Sequence, residues 1–531
     1  MYKNFGEFLA GTAKKYGEKA AFIIKNKEGG KVTYTNISYI KLEQDVRAFA
    51  KAIELKGLKG KRIAVIGKNC YQWMVTMLGT VYSGSASVPL DRALTEPEII
   101  EQTERIEADA FVFGPEYIET ASKMNTVNIC FEPSEGFENV DEMLKAGYEA
   151  GLSENCCVNS TEVSFYLFTS GTTSKSKIVM LCQNNILSNI DDMMQVEDLR
   201  ESDVNLALLP FHHTFGMVGC LIFLSVGATN VFCEGLRVQK ALCEYKVSVL
   251  VGVPLILDSM KKLTQKIIKK EKLTLAFALL GAANKVTRAV GIDLRRKIYK
   301  PLLEKFGGDL RLIISGAAPL SPETAKFFND KGIEVIQGYG LTETAPVVAA
   351  ESYQFRRSGS VGKAMPSDDI KIVNKNDDGT GEITVKGPNV MLGYYQNEEM
   401  TNEVIKDGYF HTGDVGYLDK DGYLFITGRI KNVIVLENGK KVYPEEVEFH
   451  IGKIDYVKEV VVLNEKQGKK DKVTAIVVAD VENYTLDEAK EAFDKDVKKV
   501  NKRLAKYKQI QDYRVTDVEF DKTSTGKVKR Y

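Results

Sequence analysis

An excess of charge of either sign is missing from this chain. Its 72 Lys and Arg residues are balanced by 72 Asp and Glu over 531 residues. Nothing in that balance points to nucleic acid or an anionic membrane as the main partner. Metal-type cysteine spacing is also missing: eight cysteines occur without a CxxC or Cys/His pattern. Cys220 and Cys233 lie among apolar neighbours and read as small buried hydrophobes, which fits a reducing cytosol. The opening stretch, Met1 to Leu9, has no signal-peptide apolar region, so a cytoplasmic location is expected. The most apolar window, Val218 to Cys233, is interrupted by Gly219, Ser225, Gly227 and Asn230. It is too short and too broken to cross a membrane and predicts a buried helix followed by a strand. No Walker-type Gly-x-x-x-x-Gly-Lys-[Ser/Thr] loop, internal repeat or low-complexity tract is present. What remains is ordinary, 44% hydrophobic and 27% charged, in a chain too long for one core. Two or more structural units are expected.

The chemistry-bearing stretch nearest the middle is Val163 to Met180. Its first half is an apolar and aromatic run with the composition of a buried strand. Its second half holds Thr169, Ser170, Gly171, Thr172 and Thr173, then Lys175 and Lys177. Closely spaced hydroxyls and backbone N–H groups beside cations suit a polyphosphate. A polar surface turn after a core strand is the competing reading. Around this stretch the chain alternates β and α. Strands are expected at Arg62–Gly67, Ser87–Leu90, Ala110–Phe113, Val127–Phe131, Asn205–Leu209, Thr229–Phe232 and Ser248–Val251. Helices are expected at Tyr71–Tyr82, near Asn185–Met194 and near Met217–Leu224. The β-α-β order implies right-handed crossovers and parallel sheets, a layered α/β fold. The lysine-rich helical region Lys261–Lys305 reads first as a solvated face.

Three later stretches add chemistry. Leu312 to Leu320 runs from a strand into Gly316, Ala317 and Ala318, small residues that let a flat ligand approach the backbone. Val335 to Thr344 ends a strand in Gln337, Gly338, Tyr339 and Gly340, followed by Thr342 and Glu343. A ring between glycines can lie against a base, and a carboxylate one residue past a hydroxyl can hold a hard cation such as Mg²⁺. Core packing of Tyr339 and a helix-start role for Glu343 are the bland alternatives. In Gly408 to Gly439, Asp419–Gly422 reads as a hairpin turn between aromatic-rich strands. Asp414 and Arg429 read as loop positions after strands, where a carboxylate suits ribose hydroxyls and a guanidinium suits phosphate or ribose oxygens. Pro444-Glu445-Glu446 reads as a helix start. The chain closes on a small loop presenting Lys527.

With these motifs in order, the chain resembles the adenylate-forming superfamily of acyl-CoA synthetases, adenylation domains and luciferases over nearly its whole length. Phe168 to Lys177 is similar to that family's phosphate loop, and Leu209 to Gly216 to the segment beside its acyl pocket. Gly338 to Glu343 is similar to its adenine and magnesium motif. Tyr409 to Asp414 with Gly428 to Lys431 is similar to its ribose motif and hinge, and Thr525-Gly526-Lys527 to its catalytic-lysine loop. The long-chain fatty-acid–CoA ligase type is the nearest match, through Val433 to Glu446 and Arg295 to Leu320.

The resemblance implies an α/β fold with a large multi-layer N-terminal domain, residues 1–430, and a small mobile α+β C-terminal domain, residues 431–531. It implies that Thr169 to Thr173 and Lys177 surround the ATP phosphates, and that Gly316, Ala317, Ala318 and Gln337 to Gly340 enclose adenine with Tyr339 stacked on it. Thr342 reaches the α-phosphate, and Glu343 with Thr169 holds Mg²⁺. Asp414 and Arg429 hold the ribose. His213, Phe215 and Gly216 line the acyl pocket. Lys431 is the hinge, and Lys527 bridges substrate carboxylate and α-phosphate.

The implied reaction joins a carboxylate oxygen to the α-phosphorus of ATP and releases pyrophosphate, after which CoA displaces AMP. Its demands are alignment of anions and charge neutralisation. No side-chain nucleophile is needed, in agreement with the lack of a Ser/His or Cys/His constellation. His212 and His213 read as pocket wall or orienters, or as packing. A fatty acid is the expected substrate, since the segment Phe211–Phe215 has no aspartate to hold an amino-acid ammonium. An acyl-AMP ligase serving a carrier-protein phosphopantetheine, or a silent nucleotide-binding homologue, are the alternatives. The chain departs from the family at Ser174, Ser176 and Ile178, where Gly, Pro and Gly are usual, so altered loop mobility is expected. It departs again at Gln183, where His is common, and at Val435, where Lys is common.

Overall fold

The computed structural model describes residues 2–154, 159–169, 176–233, 237–270, 277, 280–281, 291–436, 440–467, 470–521 and 528. Ser170 to Thr173 and Lys527 lie outside them.

The chain divides into two compact units. The first comprises Met1–Arg356, Ala364–Asp368 and Lys386–Ile405. Two sheets form its frame. Eight of the nine strands of one run in the order Val347–Ala350, Glu334–Gly340, Leu312–Ser315, Val249–Gly252, Val204–Ala207, Thr229–Phe232, Ala20–Glu28 and Lys31–Ser38. Its inner pairs are parallel, and the pairs at each end of this series are antiparallel. The other has the order Gly393–Tyr394, Lys177–Cys182, Val163–Thr169, Ala86–Pro89, Arg62–Ile66, Ala110–Phe113, Val127–Cys130 and Glu138–Asn139. The α/β expectation is met, with parallel strands carried by β-α-β crossovers.

Local sequence explains the helices that matter to the site. Tyr71–Tyr82 is buried on every side, including Trp73, Met74 and Met77, as an apolar-all-round helix must be. Thr214–Ser225 is likewise buried, and the strand Thr229–Phe232 follows it. The apolar window is therefore core, and among the described residues no helix is long and apolar enough to cross a membrane. Gly216 is required there, because a Cβ would come 2.3 Å from the carbonyl oxygen of Pro210. Helix Pro254–Lys270 buries Leu257, Met260 and Thr264 and exposes Lys262, Lys266, Lys269 and Lys270, the solvated face expected of that charge run. Cys220 is buried, whereas Cys233 is only partly so.

Helix Gln183–Val196 ends at Glu197, whose two carboxyl oxygens are buried without a hydrogen-bond partner. Burial pushes this carboxyl up to about 8 against the opposing pull of Arg356. Between the ordinary carboxylate range and about pH 8, the folded chain keeps a proton that the unfolded chain has released, so stability falls as pH rises through that window. Glu197→Gln is expected to raise Tm more at about pH 9 than at about pH 5. Equal shifts in thermal unfolding at both pH values would show that Glu197 carries no such linkage.

The second unit comprises Arg357–Lys363, Asp369–Val385 and Lys406–Tyr531. It contains the strands Asp369–Val373, Gly381–Lys386, Tyr409–Leu418 and Leu424–Arg429. It also contains a three-stranded sheet, Val457–Gln467, Lys470–Ala479 and Asp512–Thr516, and the helices Pro444–Ile451 and Leu486–Asn501. The hairpin turn falls at Asp419–Gly422, between strands ending at Leu418 and starting at Leu424. Pro444–Ile451 starts with proline and acids as expected. Its leading residues fit against Gly428, where a Cβ would come 2.8 Å from Glu445 Oε2 and 3.0 Å from Tyr443. That close fit groups Leu424–Arg429 with the C-terminal residues in this division, whereas the sequence reading divides the chain at 430/431.

Candidate active site

The phosphate-type loop is closed by a hairpin. Val163–Thr169 and Lys177–Cys182 pair antiparallel with Thr169 directly opposite Lys177, so both ends of the small-residue loop are held together. Two of the sequence departures have a structural role here. Ile178 is 1% exposed and belongs to a core cluster with Phe111 and Phe113, so its side chain fixes the outgoing strand. Ser176 is tied by Arg105, whose guanidinium donates to the Ser176 carbonyl at 2.7 Å. A tether to a neighbouring helix thus restrains a position where the family uses the ring of proline. At Gln183 the side-chain oxygen accepts from the Phe5 N–H at 2.8 Å, a contact that anchors the first helix.

Beside this hairpin lies the acidic motif. Thr342–Thr344 forms one 3₁₀ turn, with Thr344 Oγ1 donating to Pro346 O at 2.7 Å and accepting from Leu341 N at 3.0 Å. The Glu343 carbonyl accepts from Met391 N at 2.9 Å. The Glu343 carboxylate accepts from the Tyr394 hydroxyl at 2.9 Å, and the Lys177 ammonium stands over the same ring, 4.6 Å from its centre. Tyr394 is placed by strand Gly393–Tyr394, which pairs with Val179 and Met180. Burial, then the neighbouring Glu343 carboxylate, pushes the phenol far above its ordinary range, so it remains a donor. Among the described residues, Glu343 Oε2 has no hydrogen-bond partner, leaving a hard oxygen ligand of the kind Mg²⁺ prefers. Tyr394 was missed in the sequence. Its only local signal is the aromatic pair Tyr394-Tyr395 after Gly393, and nothing there points to a residue 51 positions earlier.

The adenine-type segments are adjacent. Ser315 and Gln337 are register partners of parallel strands, so Gly316–Ala318 leaves the sheet beside Gln337–Gly340, which continues as strand and pairs antiparallel with Val347–Ala350. Gly316 has no room for a side chain, since a Cβ would come 2.9 Å from the Phe215 ring. This contact joins the acyl-pocket segment to the small-residue loop. Ala317 takes a left-handed φ of 67°, a conformation L side chains rarely adopt. Gly340 is obligatory for another reason: a Cβ would fall 1.7 Å from the Pro346 carbonyl oxygen. Gln337 N donates to Glu351 Oε2 at 3.2 Å. Tyr339 is half-buried.

In the second unit, Asp414 and Arg429 correct the sequence reading. Neither is a loop residue: Asp414 lies inside strand Tyr409–Leu418, and Arg429 closes strand Leu424–Arg429 directly opposite it. Arg429 Nε donates to Asp414 Oδ1 at 2.5 Å and Nη2 to Oδ2 at 3.4 Å. Glycine-rich sequence made both look like turns. Gly413 instead supplies a φ of 69° within the strand, and its N–H donates to Glu382 Oε1 at 3.2 Å. Lys431 follows in the turn Ile430–Asn432 and is exposed.

Residues 9–395 match the family of AMP-binding enzymes, and residues 431–531 match the AMP-binding enzyme C-terminal domain. The chain belongs to this family. The chain is 27% identical over 547 residues to a fatty acyl-CoA synthetase B of Dictyostelium discoideum, covering 95% of this chain and 81% of that one. It is also 27% identical to a feruloyl-CoA synthase of Amycolatopsis, covering 93% and 92%. The solved structure of ATP-bound MatB from Rhodopseudomonas palustris superposes with a TM-score of 0.78 at 27% identity, covering 99% and 97%. As an AMP-binding enzyme the chain has the large N-terminal and small C-terminal parts expected of it.

Proposed function

We propose that this chain is an acid–thiol ligase that converts a carboxylic acid and ATP to acyl-AMP and pyrophosphate, then transfers the acyl group to CoA. One observation carries the reading: Lys177, Tyr394 and Glu343 form a connected cation–phenol–carboxylate series at the rim of the Thr169–Lys177 hairpin. That series puts a phosphate-type cation and a metal-type carboxylate on one rigid tyrosine. Glu343, with Thr169, would hold Mg²⁺, whose charge offsets that of the phosphate oxygens. Thr342 reaches the α-phosphate. Thr169, Ser170, Gly171, Thr172, Thr173 and Lys177 take the β- and γ-phosphates. Gly316, Ala317, Ala318 and Gln337 to Gly340 take adenine, and Asp414 with Arg429 takes the ribose. The Asp414–Arg429 pair keeps its carboxylate pointed until ribose hydroxyls engage it.

His213, Phe215 and Gly216 border the acyl group, and a fatty acid is the substrate we favour. Relatives named for a fatty acid and for ferulate at equal identity make the acid the point to test. Action in the cytoplasm, with CoA rather than a carrier protein as acceptor, completes the reading. The test is a carboxylate panel, including palmitate and ferulate, assayed for pyrophosphate release with CoA, with a phosphopantetheinylated carrier protein and with neither. Acid-dependent release followed by acyl-CoA is expected. Transfer to carrier protein alone would make the chain an acyl-AMP ligase, and ATP binding without release for any acid would make it a silent homologue.

Lys431 serves as the hinge of a mobile part beginning at residue 431. Lys431→Pro fixes φ near −65°, to within about 15°, and removes an N–H. One half-reaction is expected to fail while the other survives. Unchanged rates in both would remove the hinge assignment.

A further inference from the structure

Outside the nucleotide-type elements, three side chains bring metal-ligating atoms to one point in the first unit. Asp91 stands just past strand Ala86–Pro89, and His212 and His213 stand just before helix Thr214–Ser225. Asp91 Oδ1 lies 3.2 Å from His212 Nε2, and that same nitrogen lies 3.1 Å from His213 Nε2. One ligand atom from each residue lies within 4.8 Å of the other two. The His212 side chain is 7% exposed and that of Asp91 22%. The whole chain has four histidines, and two of them meet here.

Protons alone satisfy this arrangement poorly. A ring nitrogen has one site, filled either by a proton or by a lone pair. If His212 Nε2 carries a proton, that proton must divide between Asp91 and His213. If it does not, it accepts from His213 while its lone pair faces the Asp91 carboxylate. A cation among the three atoms satisfies all of them. A tetrahedral ion with metal–nitrogen bonds of about 2.0–2.1 Å sets its ligand atoms about 3.3 Å apart, close to the two separations seen.

The ligands are also braced. Asp91 Oδ1 accepts from Ala93 N at 2.9 Å. Asn69 Nδ2 donates to Ala207 O at 3.1 Å and to Leu209 O at 2.7 Å, and Asn69 Oδ1 accepts from Phe211 N at 3.1 Å. Both loops are therefore held in place before any ion arrives, which lowers the ordering cost of binding.

We propose that Asp91, His212 and His213 form a three-ligand site for a divalent transition-metal ion, zinc in the first instance, with a fourth position open to water. Two imidazoles and one carboxylate suit zinc, whereas the lone carboxylate of Glu343 suits magnesium. An ion here ties the end of Ala86–Pro89 to the segment that leads into Phe215.

The test uses metal-free full-length protein titrated with Zn²⁺ against a chromogenic chelator, with millimolar Mg²⁺ present throughout. One equivalent is expected to bind with a Kd of about 1 µM or tighter. Asp91→Asn and His212→Gln should each weaken binding at least tenfold, roughly the low end of losses for perturbed metal sites, while His450→Gln leaves it unchanged. Zinc X-ray absorption of the loaded wild-type protein should show two imidazoles in the inner shell, a reading that stands even if a variant fails to fold. Absence of binding below about 100 µM, equal affinity in the variants, or fewer than two imidazoles would overturn the proposal and leave the three side chains as a shared-proton cluster.

Discussion

Lys527→Ala is expected to lower acid-dependent pyrophosphate release by a factor of roughly 10² or more, the size of one lost charge-stabilising donor. Given presynthesised acyl-adenylate and CoA, the same variant should form thioester at close to the wild-type rate. Lys527 lies outside the described residues, so the expectation rests on charge and on the resemblance at Thr525-Gly526-Lys527. Formation of acyl-AMP brings a carboxylate up to a phosphate that is already anionic, and an ammonium between them removes part of that repulsion. Thioester formation has no such pair of anions to bring together. Lys177, Glu343 and Gln337 to Gly340, the residues assigned to the nucleotide, all belong to the first unit, and the described residues that precede the Thr525-Gly526-Lys527 motif, up to Asp521, belong to the second. A lysine carried on a separate unit can serve one step and be withdrawn for the next. Separate measurement of the two half-reactions decides this. If both fall together, Lys527 is structural or acts in one fixed arrangement, and the two-state reading fails.

The fold was legible wherever hydrophobic pattern and turn chemistry agreed. Tyr71–Tyr82, Ala110–Phe113 and Thr229–Phe232 have the bounds that periodicity predicts. The small residues at Gly216, Gly316 and Gly340 are explained by neighbours that leave no space for a Cβ. Two parts of the site were not legible, for different reasons. Asp414 and Arg429 lie in strands whose alternation is broken by Gly413, Gly416 and Gly428, so composition argued for turns where backbone pairing continues. At Gly416 the glycine is there because a Cβ would come 2.2 Å from the Phe425 carbonyl oxygen, a cross-strand constraint that a single strand does not reveal. Tyr394 was hidden because its meaning lies in long-range contacts with Lys177 and Glu343. Ser176 and Ile178 looked like losses in the phosphate loop. In the fold, Arg105 and the core around Phe111 supply restraint at those two positions.

The second large effect is expected at Glu343. Glu343→Gln keeps the volume and keeps an oxygen that can accept from the Tyr394 hydroxyl, so the turn Thr342–Thr344 and its contact with Met391 should persist. What it removes is the negative charge that a hard cation requires. Mg²⁺-dependent adenylation should fall by about 10²–10³, the range for loss of one electrostatic element aimed at a transition state, and more Mg²⁺ should be needed for half-maximal rate. AMP binding, which we assign to Gly316–Ala318 and the strand end Gln337–Gly340 rather than to the carboxylate, should change little. Tyr394→Phe provides the contrast. It keeps the ring beneath Lys177 and removes only the hydroxyl, a hydrogen bond to a charged group of about 1.5–3 kcal/mol. Its effect should be smaller, roughly tenfold on adenylation. Combined with Glu343→Gln, it should add little, because the hydroxyl acts by positioning a carboxylate whose charge Glu343→Gln has already removed. Equal loss of adenylation and of AMP binding in Glu343→Gln would make Glu343 a residue of the fold. Full additivity in the double variant would mean that Tyr394 acts through Lys177 and the phosphate hairpin rather than through the carboxylate.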